Sequence, residues 1–503
     1  MAQPNVIIIM TDQQRADLSR REGFPLDTTP FSDALAARGT WFDRAYTSMP
    51  TCAPARVSML TGRYPSATHV RTNHNIQDAF YTRDLFDVFR GLGYTTAMCG
   101  KNHSHLTPER VDWWYECGHL GIDDPDRTAD ERAFDDFLRE KTHFHMWPEA
   151  TPFPVECQIP YRLVSRAQGW VDSVKDQPFL LWLSFPEPHN PYQVPEPYYS
   201  MFAPDGRRGE AFADGHASDH APGCECFAPT EKGFKYQFCR ESFIKAFPDY
   251  EEQIPRARSN YLGMLRLLDD QIQRFTGFLE EKGLLENTIL VVLSDHGDFV
   301  GEYGLLRKGP ELPEPLVRIP LSFTGPGIQS SDESHAAHVS IADVMPTLCE
   351  AVGAPLPDGA QGRSLWPMLT GQPYPEAEFA SVYSEHGFGG LYYTEQDDLD
   401  PASDGLTASR DGQWGAFDCL NSRTQCGQMR MVRKGHWKLT FDMEGTGRLY
   451  DLSSDPRELT DLYRQPETAE KCRELLEDML TWRLRVEDPL PLPRQRYVMK
   501  KGD

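Results

Sequence analysis

The chain has 503 residues, 39% of them hydrophobic and 11% aromatic, which is enough for a large core domain and a smaller second one. Its formal net charge of −24 argues against a nucleic-acid partner, and an anionic substrate must be drawn by positive charge gathered locally in a pocket. No apolar run is long enough to cross a bilayer, the N-terminal run lacks the basic flank of a signal peptide, and eleven cysteines without a regular framework read as reduced thiols. These features lead us to expect a cytoplasmic protein with no membrane partner.

Asn5 to Met10 is a continuous β-branched apolar run, the pattern of a buried parallel strand, and it delivers Asp12 and Gln13 to the strand's carboxyl end. Open α/β sheets collect ligands and metals there. Pro30 to Ala36 reads as a helix stopped by Gly39, and Trp41 to Tyr46 as a strand. Then comes Pro50-Thr51-Cys52-Ala53-Pro54-Ala55-Arg56, running on through Val57, Met59 and Leu60 to Thr61-Gly62-Arg63. Pro54 suits the first turn of a helix, so Cys52 lies at a helix N-terminus, where backbone N–H groups favour negative charge and Arg56 adds a full positive one. The plain alternative is a capped helix with a buried cysteine.

Asn73 lies in a polar loop, where a turn-forming role competes with a role near a bound anion. Leu85 to Leu92 reads as a helix and Tyr94 to Cys99 as a strand leading into Gly100-Lys101-Asn102-His103. Residues 104–170 read as irregular and aromatic, with Trp113, Trp114, His143, His145 and Trp147 as candidates for the mouth of a site. Phe179 to Phe185 is another buried strand, after which prolines hold His189 in a rigid loop. Residues 200–258 read as a lid-like excursion or a homo-oligomer contact; His216, His220, Cys224, Cys226 and Cys239 fit no standard zinc spacing.

Asn260 to Lys282 is the clearest helix. The strand Thr288 to Leu293 ends in Ser294-Asp295-His296-Gly297-Asp298, adjacent hard and borderline metal ligands, with Lys308 shortly after. Ile319 to Thr324 reads as a strand, 362–377 as a linker, and 386–427 as a long loop. Short strands at Val382 to Glu385, Gln428 to Val432 and Leu449 to Leu452, a hairpin at Lys434 to Leu439 and a helix over 466–485 complete the chain.

Taken together, Cys52-x-Pro54-x-Arg56 with Leu60-Thr61-Gly62-Arg63, Gly100-Lys101-x-His103, and Ser294-Asp295-His296-Gly297-Asp298 with Lys308 resemble the hallmarks of the type I sulfatases of the alkaline-phosphatase superfamily. Leu449-Tyr450-Asp451-Leu452 with Asp455-Pro456 resembles that family's C-terminal subdomain. The resemblance implies an α/β fold, a large mostly parallel sheet sandwiched by helices over residues 1–375, and a smaller C-terminal α+β subdomain over 376–503. It implies that Cys52 is oxidised to Cα-formylglycine by a formylglycine-generating enzyme. It further implies a divalent metal, calcium first with manganese or magnesium as alternatives, on Asp12, residue 52, Asp295 and His296. The family's second acidic ligand is replaced by Gln13, and Asn73 is placed near the sulfate. Hydrolysis of a sulfate monoester then follows: hydrated formylglycine attacks sulfur, Arg56, Lys101 and Lys308 hold the sulfuryl oxygens, His189 or Lys308 protonates the leaving oxygen, and His103 takes the proton that releases sulfate. The alternatives are phosphonate or phosphodiester hydrolysis at the same site, against which the Lys101–His103 pair speaks, and an inactive relative that binds sulfated glycans.

Overall fold

Six strands that run one way and one that runs against them form the sheet that carries the site. The computed structural model describes residues 3–141, 146–202, 232–246, 249–388 and 427–490. The strands are β1 (Asn5–Asp12), β2 (Thr40–Trp41), β3 (Ala45–Tyr46), β4 (Thr95–Gly100), β5 (Trp113–Glu116), β6 (Phe179–Pro188), β7 (Thr288–Ser294), β8 (Leu321–Thr324) and β9 (Val339–Ser340). The large sheet has the order β2-β8-β7-β1-β6-β4-β5, while β3 pairs with β9 apart from it. β1 runs parallel to both β6 and β7, while β8 is antiparallel to both its neighbours, β7 and β2, so it alone runs against the rest. This central position explains the unbroken apolar run of β1, whose eight residues are all buried.

Alternate β1 side chains enter two different cores. Val6, Ile8 and Met10 pack with Met59, Leu60 and Phe86 on one face. Ile7 and Ile9 pack with Leu163, Leu268 and Ile272 on the other. Each such aliphatic side chain, removed fully from water, contributes about 1.5–3 kcal/mol, so the sheet is held from both sides.

The small sheet is antiparallel, with β10 (Ser381–His386), β11 (Met429–Lys434), β12 (Trp437–Asp442) and β13 (Gly447–Asp451) in sequence order. The helix Ala469–Val486 lays Leu475, Met479 and Trp482 against Val432, Leu439 and Leu449. Tyr64 and Ala342 join that same cluster, so it continues into the chain that precedes the small sheet.

Several expectations need correction. Trp41 to Tyr46 is not one strand but two short ones that belong to different sheets. The long helix begins at Tyr250 and runs to Glu281, ten residues earlier than its periodicity announced, because Tyr250, Ile254 and Ala257 bury against a third cluster. Residues 104–170 are not irregular: they hold β5 and the helices Ala129–Glu140 and Ile159–Val174. The stretch read as a linker is packed, with Leu365, Met368 and Leu369 in the main core and Arg363 paired to Asp343 at 3.0 Å. The helix Ile159–Val174 carries an apolar stripe of its own, with Ile159, Leu163, Val164, Ala167 and Val171 in the second core. His143, His145, His216, His220, Cys224, Cys226 and most of the 386–427 loop lie outside the described residues. Cys239 is buried among aromatic side chains.

Candidate active site

The carboxyl ends of the parallel strands bring the candidate residues together. β1 supplies Asp12 and β7 supplies Asp295 and His296, whose register is fixed by the Thr11–Ser294 pairing. β4 leads into Lys101, and β6 into His189. Gly100 has φ +111°, and a Cβ there would meet the Ser184 carbonyl oxygen at 1.9 Å, so only glycine lets Lys101 leave β4 so close to β6.

Cys52 opens a helix, Cys52–Thr61, whose ten residues are all buried and which closes on Gly62 in the left-handed region. Its first turn is capped from another loop: Asn73 Oδ1 accepts from the Ala53 amide at 2.9 Å. Asn73 is therefore brought to the site, and its oxygen serves the helix that presents position 52.

Around Cys52 Sγ stand Lys101 Nζ at 3.5 Å, Lys308 Nζ at 3.8 Å, His296 Nε2 at 3.3 Å and Asp12 Oδ1 at 3.7 Å. One ligand atom each from Asp12, Cys52, Asp295 and His296 falls within 4.8 Å of all the others, and all four residues are buried. The His296 ring donates through Nδ1 to the Gly297 carbonyl at 2.9 Å, which leaves the Nε2 lone pair for the cluster. Two carboxylates, an imidazole nitrogen and the side chain of residue 52 are a fitting donor set for a hard or borderline divalent cation. Burial by itself would raise the Asp295 carboxyl, yet His296, Arg56 and Lys101 hold it well below the carboxylate range.

Arg56 is fully buried and works as a bracket. Its Nε donates to Asp295 Oδ2 at 2.8 Å, Nη1 to the Lys101 carbonyl at 2.8 Å and Ser184 Oγ at 2.7 Å, and Nη2 to Asp12 Oδ2 at 3.4 Å. Lys101 also pairs with Asp12. Gln13 bridges the cluster to Lys308: its Oε1 accepts from Lys308 Nζ at 2.7 Å, and its Nε2 donates to Asp298. Gln13, His103, Arg307 and Glu311 all have φ between +43° and +72°, backbone strain that the surrounding contacts hold at the site.

His103 stands edge-on to a further histidine, His119, at 5.7 Å between ring centroids. Burial first, then the charges of Lys101, Arg56, His189 and Lys308, hold its imidazole far below the ordinary range, so it is a neutral base. His189 donates from Nδ1 to the Asn190 carbonyl at 2.7 Å, which puts the lone pair of the neutral ring on Nε2.

Three contributors escaped the sequence reading. Asp298 accepts from Val300 N, Arg307 N and Tyr192 OH at 2.8, 2.7 and 2.7 Å, and so pins the loop that carries Lys308. The far end of that loop is tied to the small sheet by Glu311–Arg448 at 3.2 Å and Glu314–Lys438 at 2.9 Å. His119, in a Gly118–Gly121 turn, stacks on His189 at 3.8 Å. Only Asp298 had a signal, its place in the Asp-His-Gly-Asp string.

Glu187, two residues before His189, is buried with one carboxyl oxygen unpartnered, and burial pushes it up to about 8. The unfolded carboxyl titrates near 4.5. Between these values the folded chain keeps a proton that the unfolded chain has released, so stability falls as pH rises and levels off above the upper value. The slope is at most about 1.4 kcal/mol per pH unit. Glu187→Gln is expected to remove that decline, read as a thermal midpoint that varies less with pH than the native chain's between about pH 5 and pH 8.

The sulfatase family pattern matches residues 4–354 of the chain. The chain belongs to the sulfatase family. An arylsulfatase of Clostridium perfringens (strain 13 / Type A) is 26% identical over 505 residues, covering 93% of this chain and 92% of that one. A choline-sulfatase of Rhizobium meliloti (strain 1021) is also 26% identical, covering 92% and 83%. Among solved structures, a phosphonate monoester hydrolase of Agrobacterium radiobacter superposes with a TM-score of 0.72 at 22% identity, covering 96% of each chain. A Bacteroides thetaiotaomicron protein described as a putative sulfatase gives 0.67 at 20%, covering 97% and 93%. The sulfatase fold thus spans the chain, and the expected α/β architecture with a mostly parallel central sheet and an antiparallel C-terminal sheet is the one found.

Proposed function

We propose that this chain hydrolyses a sulfate monoester to an alcohol and inorganic sulfate. The observation that carries the reading is the convergence of Lys101 and Lys308 on position 52 within 3.8 Å, in a chain whose overall charge would otherwise repel an anion. Cys52 Sγ stands where the oxygens of a formylglycine side chain would sit. That group, made by a maturation enzyme, supplies a nucleophilic hydroxyl toward sulfur once hydrated. A divalent cation held by Asp12, residue 52, Asp295 and His296 supplies a Lewis acid there; the oxygen-rich set suits calcium, and the imidazole admits manganese or magnesium.

The chain's own residues do the rest. Lys101 and Lys308 attract the sulfate oxygens and offset the charge that builds on them. Arg56 holds Asp12 and Asp295 in place while adding positive potential from behind. As the S–O ester bond breaks, its electron pair stays on the alcohol oxygen, which takes a proton from His189 or Lys308. Neutral His103 is the acceptor for the proton given up when sulfate leaves. Arg56 contacts protein acceptors on every nitrogen, so we assign it to orientation rather than direct sulfate contact.

The reading is tested on protein purified from its native host. The tryptic peptide containing Cys52 is expected to be about 18 Da lighter than the cysteine form and trappable by a hydrazide. The same preparation, with divalent metal, is expected to turn over an aryl sulfate faster than an aryl phosphonate monoester. An unmodified thiol would sink the formylglycine route, and the reverse substrate order would move the assignment to phosphonate esters.

A further inference from the structure

Next to the sulfate position lies a cavity of about 880 Å³ with no role in the chemistry above. Trp114, Glu116, Leu120 and Asp123 line it, and it reaches His103 and His119. The three histidines are continuous: His119 lies nearly flat on His189, centroids 3.8 Å apart and 21° between planes, and edge-on to His103 at 5.7 Å. His103 and His119 both line the cavity, and His103 follows Lys101 by two residues in the loop after β4. His103 Nδ1 is buried there with no hydrogen-bond partner among the described residues.

The cavity is set on rigid backbone. Cys117 N donates to the Gly100 carbonyl and Gly118 N to the Gly121 carbonyl, both at 3.0 Å. Gly121 has φ +120°, and a Cβ there would strike Asp135, itself clamped by Arg162 at 2.7 Å and Arg127 at 2.9 Å. The turn that bears His119 is therefore locked to two helices. The charges on the wall have a sign. Asp124 is answered by Arg166 at 2.6 Å, Asp123 by Arg127 at 3.5 Å and Arg139 by Asp136 at 3.4 Å, so Glu116 is the lining charge left without an ion pair among the described residues. Trp114 offers a half-buried ring face.

We propose that this cavity receives the alcohol portion of the ester, a ring-bearing alcohol whose sulfate is its single anionic group, and that His119 is the positioning residue holding His189. The assignment rests on the sulfate-ester reading. A ring stacked face to face fixes the plane of His189 without forming an in-plane hydrogen bond that would take its proton. Burial holds His119 neutral, so it does not repel a protonated neighbour. The Glu116 carboxylate disfavours a second sulfate group, and Trp114 suits a ring.

Binding is measured by calorimetry on the full chain carrying Cys52→Ala, loaded with divalent metal, so that maturation does not enter. Adding Leu120→Trp is expected to weaken 2-naphthyl sulfate about tenfold and inorganic sulfate less than about twofold. Equal weakening of both, or of neither, overturns the cavity assignment. A naphthalene disulfate is expected to bind about tenfold more weakly than the monosulfate, and Glu116→Gln is expected to close most of that gap. A gap unmoved by this variant overturns the stated substrate class, even if the tryptophan variant fails to fold.

For His119, kcat is compared on an alkyl sulfate, which needs leaving-group protonation, and a nitrophenyl sulfate, which does not. His119→Ala is expected to lower the first about tenfold and the second less than twofold, with His119→Phe restoring most of the loss. A uniform loss, no loss, or no rescue by phenylalanine overturns the positioning role. If wild-type enzyme turns over only phosphonate esters, the sulfate reading fails. The same contrasts on alkyl and nitrophenyl phosphonates, and between naphthyl phosphonate and inorganic phosphate, then decide the cavity and His119.

Discussion

Cys52→Ala is expected to abolish ester hydrolysis, with a loss of about 10⁴-fold or more in kcat/KM under metal saturation. The physical reason is that position 52 is the point on which every other group converges. Lys101, Lys308 and His296 all lie within 3.8 Å of its side chain, and removing that side chain leaves two cations and an imidazole around an empty centre. The fold should survive. The cysteine contributes one buried sulfur, and the helix behind it keeps its Asn73 cap and its Gly62 stop. Kinetics and a thermal midpoint measured on the same sample separate the two effects. Residual activity within about tenfold of the native enzyme would remove position 52 from the chemistry. Metal affinity should fall by more than the roughly 10–100-fold that losing a ligand's supporting partner costs, because here one of four candidate ligands is itself lost.

The second large effect falls on stability as well as rate. Arg56→Ala deletes a guanidinium that is fully buried and grips Asp295, Asp12, Ser184 and the Lys101 carbonyl. Two carboxylates then remain inside the protein with less positive charge to balance them, and breaking one side of such a buried pair costs about 3–5 kcal/mol. Activity should drop by about 10²–10³-fold, because the same carboxylates are candidate metal ligands. Arg56→Lys is expected to recover little of either: an ammonium cannot bridge acceptors that lie in different directions around a planar fork. Denaturant unfolding and steady-state rates are the measurements. Full activity in the alanine variant would show that Lys101 and the metal suffice to order the cluster.

The small C-terminal sheet also bears on the chemistry. Lys308 sits on a loop held at one end by Asp298 and at the other by ion pairs from β12 and β13. The strained backbone at Arg307 and Glu311 needs both anchors. Lys308, which we assign to the sulfate, is thus positioned from outside the large sheet.

The sequence by itself determined the central strands and the residues that follow them. β1, β6 and β7 are apolar runs because they are buried on both faces, and Asp12, His189 and Asp295 are readable because they come just after those runs. The Cys52 helix was legible because proline and glycine punctuate it. What only the tertiary structure decided is which polar groups meet. Arg56 and Asp295 are 239 residues apart, and Gln13 and Lys308 are 295 apart, so no local period links them. Gln13 became a bridge to Lys308, Asn73 a helix cap, and His119 a member of the site, through contacts made by folding. Hydrophobic burial repeats along a strand or helix and leaves a pattern. An ion pair or a stacked ring joins single residues from distant segments, and it leaves none.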